Sequence, residues 1–153
     1  MSGLVLRLAE DREWDAVCDV WRRATEARTG HPAPPPRDVP GRFAVVADDG
    51  GPVAIAVGIP AREEGGAGRV IPALAFLSAV AVVPERWGEG IGGAVVEHWQ
   101  DQAWAREYER ALLYTGADNP RAQSLYERLG WTRSGVEMLN DFGMPIVQYV
   151  RDL

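Results

Sequence analysis

The chain opens on alternation. "LVLRLA" near the N-terminus reads as a half-buried strand, with a side-chain period of two. From Glu10 the period lengthens, and Trp14, Val17, Cys18, Trp21 and Thr25 fall on one helical stripe. Acidic Glu10, Asp11 and Glu13 precede that stripe, at the end where a helix dipole favours negative charge. "TGHPAPPPRDVPG" follows, with five prolines in residues 32–40, which excludes regular helix and central strand. "RFAVVAD", the turn "DGG" and "PVAIAVGIPAR" then predict a hairpin. "EEGGAG" predicts a flexible connection, and "VIPALAFLSAVAVV" a long buried central strand. Helical spacing resumes from about Ile91 to Tyr108. "RALLYTG" predicts a strand, "ADNP" a turn able to cap the short helix "RAQSLYERLG", and the tail "WTRSGVEML", "NDFG", "MPIVQYVRD" a terminal antiparallel pair. The order β-α-loop-β-β-β-α-β-α-β-β predicts an α+β fold, one domain over residues 1–153 with helices packed on a sheet.

Composition narrows the chemistry. All sixteen basic residues of the 153 are arginine, so a lysine Schiff base and a lysine-bearing phosphate loop are both excluded. A single cysteine, Cys18, leaves no intrachain disulfide, and its place on the apolar stripe favours a small buried hydrophobe over a reactive thiol. With only His31 and His98 beside it, no metal site is expected. A net charge of −6 argues against nucleic acid or an anionic membrane as partner and mildly for a cationic one. "MSGLVLRLAEDREW" lacks the long apolar core of a secretory signal and no run of eighteen apolar residues exists, so a cytoplasmic protein without membrane association is expected.

The stretch "AVAVVPERWGEGIGGAVVEHW" runs from the central strand through four glycines into a helix. Glycines let the backbone turn sharply and approach a ligand closely. The amides of Gly88, Gly90, Gly92 and Gly93 would converge on a phosphate at the helix N-terminus. Gly88, Gly90 and Gly93 also satisfy the dinucleotide pattern G-x-G-x-x-G. However, "PERW" separates them from the strand, where that pattern demands a tight turn, and Asp118 lies too far on to serve as the ribose acid.

The order V-x-V-x-P-E-x-W-G-x-G-I-G-G resembles the acyl-coenzyme A signature of the GNAT superfamily of N-acetyltransferases, Q/R-x-x-G-x-G/A after a strand. Trp87, Gly90 and Gly92 take the signature positions, with Trp87 standing where the family usually has Gln or Arg. Arg86, next to it, is within reach of a phosphate. "DNPRAQSLYERLGW" resembles the family's N-x-x-A-x-x-x-Y-x-x-x-G-F/W segment, with Asn119, Ala122, Tyr126, Gly130 and Trp131 in register. The resemblance implies a mixed, mostly antiparallel sheet of about seven strands, splayed between "LSAVAV" and "LLYTG". It implies acetyl-coenzyme A as co-substrate, with its pantetheine arm pairing with main-chain groups around Val80 and Val82 and with the Asn119 amide. The pyrophosphate would sit on the amides from Gly88 to Gly93. Acetyl would pass directly to an amine, with Tyr126 protonating the departing thiolate.

The residues leave several points open. Glu26, His31, Asp118 and Glu137 are candidates for the general base, and each is equally an ordinary solvated side chain. Trp14, Trp21, Trp99 and Trp131 are most economically core, although Trp21 is also a candidate for lining the acceptor pocket. The acceptor is a small-molecule or peptide amine, and the terminal strands are a candidate homodimer surface. A non-catalytic acyl-coenzyme A sensor and a dinucleotide-binding protein are the alternatives from other classes.

Overall fold

The computed structural model describes residues 3–153. Seven strands form one mixed sheet in the order β1-β2-β3-β4-β5-β7-β6. They are β1 (Val5–Leu8), β2 (Phe43–Asp48), β3 (Pro52–Arg62), β4 (Val70–Val82), β5 (Arg110–Gly116), β6 (Thr132–Leu139) and β7 (Pro145–Asp152). The helices are α1 (Trp14–Thr29), a single irregular turn α2 (Glu63–Gly66) within the "EEGGAG" connection, α3 (Ile91–Ala105) and α4 (Pro120–Arg128). Every neighbouring pair of strands is antiparallel except β4 and β5. A dinucleotide-binding sheet is mainly parallel, so that reading of the glycines does not hold. No helix among the described residues is long and apolar enough to cross a membrane.

Two cores flank the sheet. On one face, Val17, Val20 and Ala24 of α1 pack on Val46, Ile55, Val57, Ala79 and Ala81. The α1 stripe is thus centred on Val17, Val20 and Ala24, whereas Cys18 is half-buried and Trp14 and Trp21 lie at its margin. Trp14 stacks under the Arg42 guanidinium at 3.9 Å, and Trp21 donates its indole N–H to the Pro34 carbonyl at 2.8 Å. These amphipathic tryptophans hold the proline loop against the helix rather than filling the core. On the other face, Trp99 of α3 is fully buried and stacks on Phe43 with 5.6 Å between ring centres, while α4 supplies Tyr126. The helix expected to reach Tyr108 ends at Ala105, where Glu107 turns back with φ 70°.

One irregularity shapes the centre. Val57 pairs with Ala79, but Gly58 pairs with Leu77, so Ser78 is an extra residue in β4. The extra residue inverts the alternation: Ala75 and Leu77 face α3, and after Ser78 it is Val80 and Val82 that do so. Opposite the bulge, a Cβ on Gly58 would lie 2.5 Å from Trp99 Nε1 and 2.8 Å from Phe43 Cζ. Glycine at 58 is therefore a packing requirement, because the indole rests on the strand backbone.

At the sheet edge, Arg7 joins three elements by donating to Glu13 at 2.7 Å and to Asp48 at 2.7 Å. The Arg7 hydrogen bonds, helped by the Glu10 amide, hold the Glu13 carboxyl down at about 2.

Two predictions follow from this packing. Gly58→Ala should destabilise the protein by about 1–3 kcal/mol through overpacking, lowering Tm by several degrees in a calorimetric scan. Glu13→Gln should lower stability at neutral pH. Because the folded carboxyl titrates below the unfolded one, the contribution it removes is present above pH 4.5 and lost as pH falls toward 2. Denaturation curves of the two proteins should therefore converge at pH 2.

Candidate functional site

Parallel pairing of β4 with β5 is limited to Leu74–Arg110, Ala75–Ala111 and Phe76–Leu112. Past Phe76 the two strands separate, β4 running on to Val82 and β5 to Gly116. The antiparallel register with β3 fixes which main-chain groups face that gap. Val83 donates to the Val53 carbonyl, so residues 83, 81 and 79 bond to β3. The alternate residues, Val82 and Val80, therefore direct their N–H and C=O groups away from β3 and into the gap. The Val80 and Val82 side chains pack under α3.

The glycine turn stands at the mouth of the gap. Pro84–Arg86 form one 3-10 turn after β4, and Gly88 and Gly90 then adopt φ of 85° and 79°. Left-handed backbone of this kind strains any residue with a Cβ. Gly90 is the N-cap of α3 and offers no side chain to its first turn. The first hydrogen bond closing the helix runs from Ala94 to the Gly90 carbonyl. The amides of Ile91, Gly92 and Gly93 therefore have no intrahelical acceptor. The Cβ positions that Gly92 and Gly93 lack lie 3.6 Å from Val82 and 3.4 Å from Leu125, ordinary contact distances that place β4 and α4 beside the first turn of α3.

Two charged or polar neighbours are already engaged. Arg86 bonds Glu89 at 3.0 Å and Asp49 at 3.0 Å, so its guanidinium is committed to two carboxylates and is not extended toward the amides. For Arg86 to reach a phosphate, these ion pairs would have to open. Trp87, 45% exposed, donates its indole N–H to the Val82 carbonyl at 2.6 Å. That bond occupies one of the main-chain acceptors facing the gap.

From the β5 side, Asn119 caps α4 by accepting the Ala122 amide at Oδ1, 3.2 Å away. Pro120 at the first helical position and Gln123, bonded to the Gly116 and Ala117 carbonyls, fix the β5–α4 turn. The cap orients Asn119 and leaves its amide N–H groups free for a ligand. Ala122 packs against the core. One turn on, Tyr126 is 8% exposed, with Trp131 and Tyr149 rings at 6.1 and 6.3 Å. Burial alone pushes its phenol up to about 12, with no hydrogen-bond partner contributing. Among the described residues, Trp99 Nε1 is the one fully enclosed side-chain polar atom without a partner, so the Tyr126 hydroxyl retains an opening. Tyr126 is thus a protonated donor held by packing and aimed by no protein acceptor.

The structure separates the general-base candidates. Glu26 receives Arg22 on the exposed side of α1, and His31 follows the helix end, exposed. Asp118 and Glu137 are exposed. Asp118 lies at the end of β5, its Oδ1 3.0 Å from where a Cβ on Gly116 would stand. Among the described residues no group of His, Cys, Asp and Glu has metal-binding geometry. Sequence reasoning missed Tyr114, which the gap places at its β5 wall. Alternation along "RALLYTG" was the available signal, because it sends Tyr114 to the face opposite Leu113.

The chain spans only about a fifth of the curated relatives it matches. Over 72 residues, 44% of this chain and 21% of the relative, it is 38% identical to a mycothiol acetyltransferase of Pseudarthrobacter chlorophenolicus. Among solved structures it resembles the ribosomal-protein-S18-alanine N-acetyltransferase of Escherichia coli, with a TM-score of 0.70, 20% identity, and 97% of this chain and 93% of that one covered. It also resembles the GNAT domain of S. lividans PAT, with a TM-score of 0.74, 20% identity and 98% and 90% coverage. A Bacillus subtilis acetyltransferase solved in complex with CoA gives a TM-score of 0.70 at 15% identity, with 98% and 99% covered. The acetyltransferase (GNAT) family profile matches residues 9–131, from the start of the first helical segment to Trp131, and the chain belongs to that family.

Proposed function

We propose that this chain transfers acetyl from acetyl-coenzyme A directly to the amine of a small molecule or peptide. One observation carries the reading: a helix N-terminus with unpaired amides opens onto a gap whose β4 wall presents unpaired main-chain groups. A diphosphate suits the first and an amide-bearing arm the second, and coenzyme A carries both. The amides around Gly88, Gly90, Gly92 and Gly93 hold the diphosphate, and their hydrogen bonds outweigh the dipole, which adds about 0.3–1 kcal/mol at such an end. Val80 and Val82 pair with the pantetheine arm as a strand would, and Asn119 donates to it from the other side. Trp87 must release the Val82 carbonyl or leave that bond unmade, and Ala122 keeps the floor beneath the arm small.

The thioester supplies an acyl group already activated for attack. The amine lone pair forms the new C–N bond while the C–S bond breaks; the nitrogen gives up one proton to solvent, from which the phenol is later reprotonated, and the sulfur takes up a proton. Tyr126 supplies that proton, since its buried phenol remains neutral where an ordinary tyrosine begins to ionise near 10. Holding both reactants in one gap provides much of the remaining acceleration.

Four outcomes are expected. Calorimetric titration should show saturable binding of acetyl-coenzyme A and none of NADH, and absence of acetyl-coenzyme A binding overturns the reading. Gly90→Val, which strains the turn and obstructs the amides, should weaken that binding at least tenfold with little change in far-UV circular dichroism. Tyr126→Phe should retain coenzyme A affinity and lose on the order of 10²-fold in kcat. In the unaltered protein, kcat should not fall below pH 10 through loss of this acid, because its proton is released only near 12.

A further inference from the structure

We propose that Tyr114 determines acceptor specificity, by donating its hydroxyl proton to an oxygen that the acceptor carries beside its amine. The inference rests on the acetyltransferase reading above. Leu113 pairs with Tyr149 and Tyr114 with Gln148, two residues beyond the last β4–β5 pair. Successive side chains of a strand leave opposite faces. Tyr126, packed on Tyr149, and Tyr114 therefore lie at adjacent β5–β7 pairs on the two sides of the sheet, beside the point where β4 and β5 part.

Tyr114 is held in a directed chain of hydrogen bonds. The Val136 amide donates to Ser134 Oγ at 3.1 Å, so Ser134 has its own proton to give, and it gives it to Gln148 Oε1 at 2.8 Å. Gln148 Nε2 in turn donates to the Tyr114 hydroxyl at 3.0 Å. Every donor in the chain points toward Tyr114, whose oxygen is an acceptor and whose proton remains unspent. Receiving a hydrogen bond strengthens the next donation along such a chain. Phe76 meets the Tyr114 ring edge-on at 5.8 Å and fixes its plane.

The proton cannot usefully go to the attacking amine, whose lone pair must stay free to form the C–N bond. It goes instead to an oxygen near that amine, as in an amino acid amide or a peptide N-terminus. Phe76, Leu112, Ile146 and Gln148 are half-buried and uncharged on this face, and Arg110 and Asp152, the charges of β5 and β7 whose alternation places them on it, lie at the far end of the strands. This surface suits a flat or aliphatic substituent.

Phenylalaninamide and 2-phenylethylamine differ in the carboxamide and test the assignment directly. With unaltered protein, kcat/KM for phenylalaninamide should exceed that for 2-phenylethylamine. Tyr114→Phe should lower it three- to tenfold for the amide, mainly through KM, and leave 2-phenylethylamine and the Kd for acetyl-coenzyme A unchanged. Gln148→Leu should reproduce part of that loss, with Gln148→Glu, which cannot donate from the same position, behaving alike. Equal loss with both amines would mean that Tyr114 serves the thioester oxygen and overturns the inference. So would no effect of Tyr114→Phe, or acetyl-coenzyme A binding without turnover of the amide. Failure of the unaltered protein to bind acetyl-coenzyme A overturns the parent reading instead.

Discussion

A strand that carries one more residue than its partner must bend, and in β4 that residue is Ser78. The bulge falls two residues beyond Phe76, the last position paired with β5. With β4 drawn away along β3, parallel pairing stops and the main-chain groups of Val80 and Val82 face the gap, where Trp87 meets only the Val82 carbonyl. A buried amide or carbonyl without a partner costs roughly 1–3 kcal/mol. The fold tolerates this only because the gap is reachable by solvent or by a ligand able to pair as a strand. The same bulge leaves Gly58 bare beneath Trp99, so the anchor of α3 and the opening of the gap share one irregularity.

The helices then complete what the gap begins. Leu125 of α4 rests on the first turn of α3 beside Gly92 and Gly93. This contact couples the glycine turn to the helix that carries Tyr126, one residue further on. Gly88 and Gly90 answer a different demand, left-handed backbone, and aim the amides outward. Of these four glycines in six residues, Gly88 and Gly90 are the two whose left-handed backbone favours glycine.

Electrostatics around the turn are subdued by design of the ion pairs. Arg86 is held by Glu89 and Asp49, and Arg23 by Glu85, so guanidinium charge close to the turn is matched by carboxylates. With no lysine in the chain, an anion there depends on backbone donors more than on side-chain charge. Directional amides favour a ligand of defined shape over any passing polyanion.

Much of this was legible in the sequence. The strand and helix order followed from hydrophobic period, and the glycine turn and the Asn119–Trp131 segment were readable because glycine, proline and asparagine have strong local preferences. Other features were not. Arg86 reads as a free cation until the fold brings Asp49 to it from 37 residues away. Tyr114 reads as one more apolar strand position until Gln148 arrives from β7. The central strand reads as unbroken alternation, yet its side chains change face at Ser78, because a bulge is created by mismatch with a partner strand and leaves no period of its own. The sequence by itself determined the elements, the turn and the family, all of which rest on short-range backbone preference. Only the tertiary structure decided which polar groups remain unpaired at the gap, because pairing is settled between residues far apart in the chain.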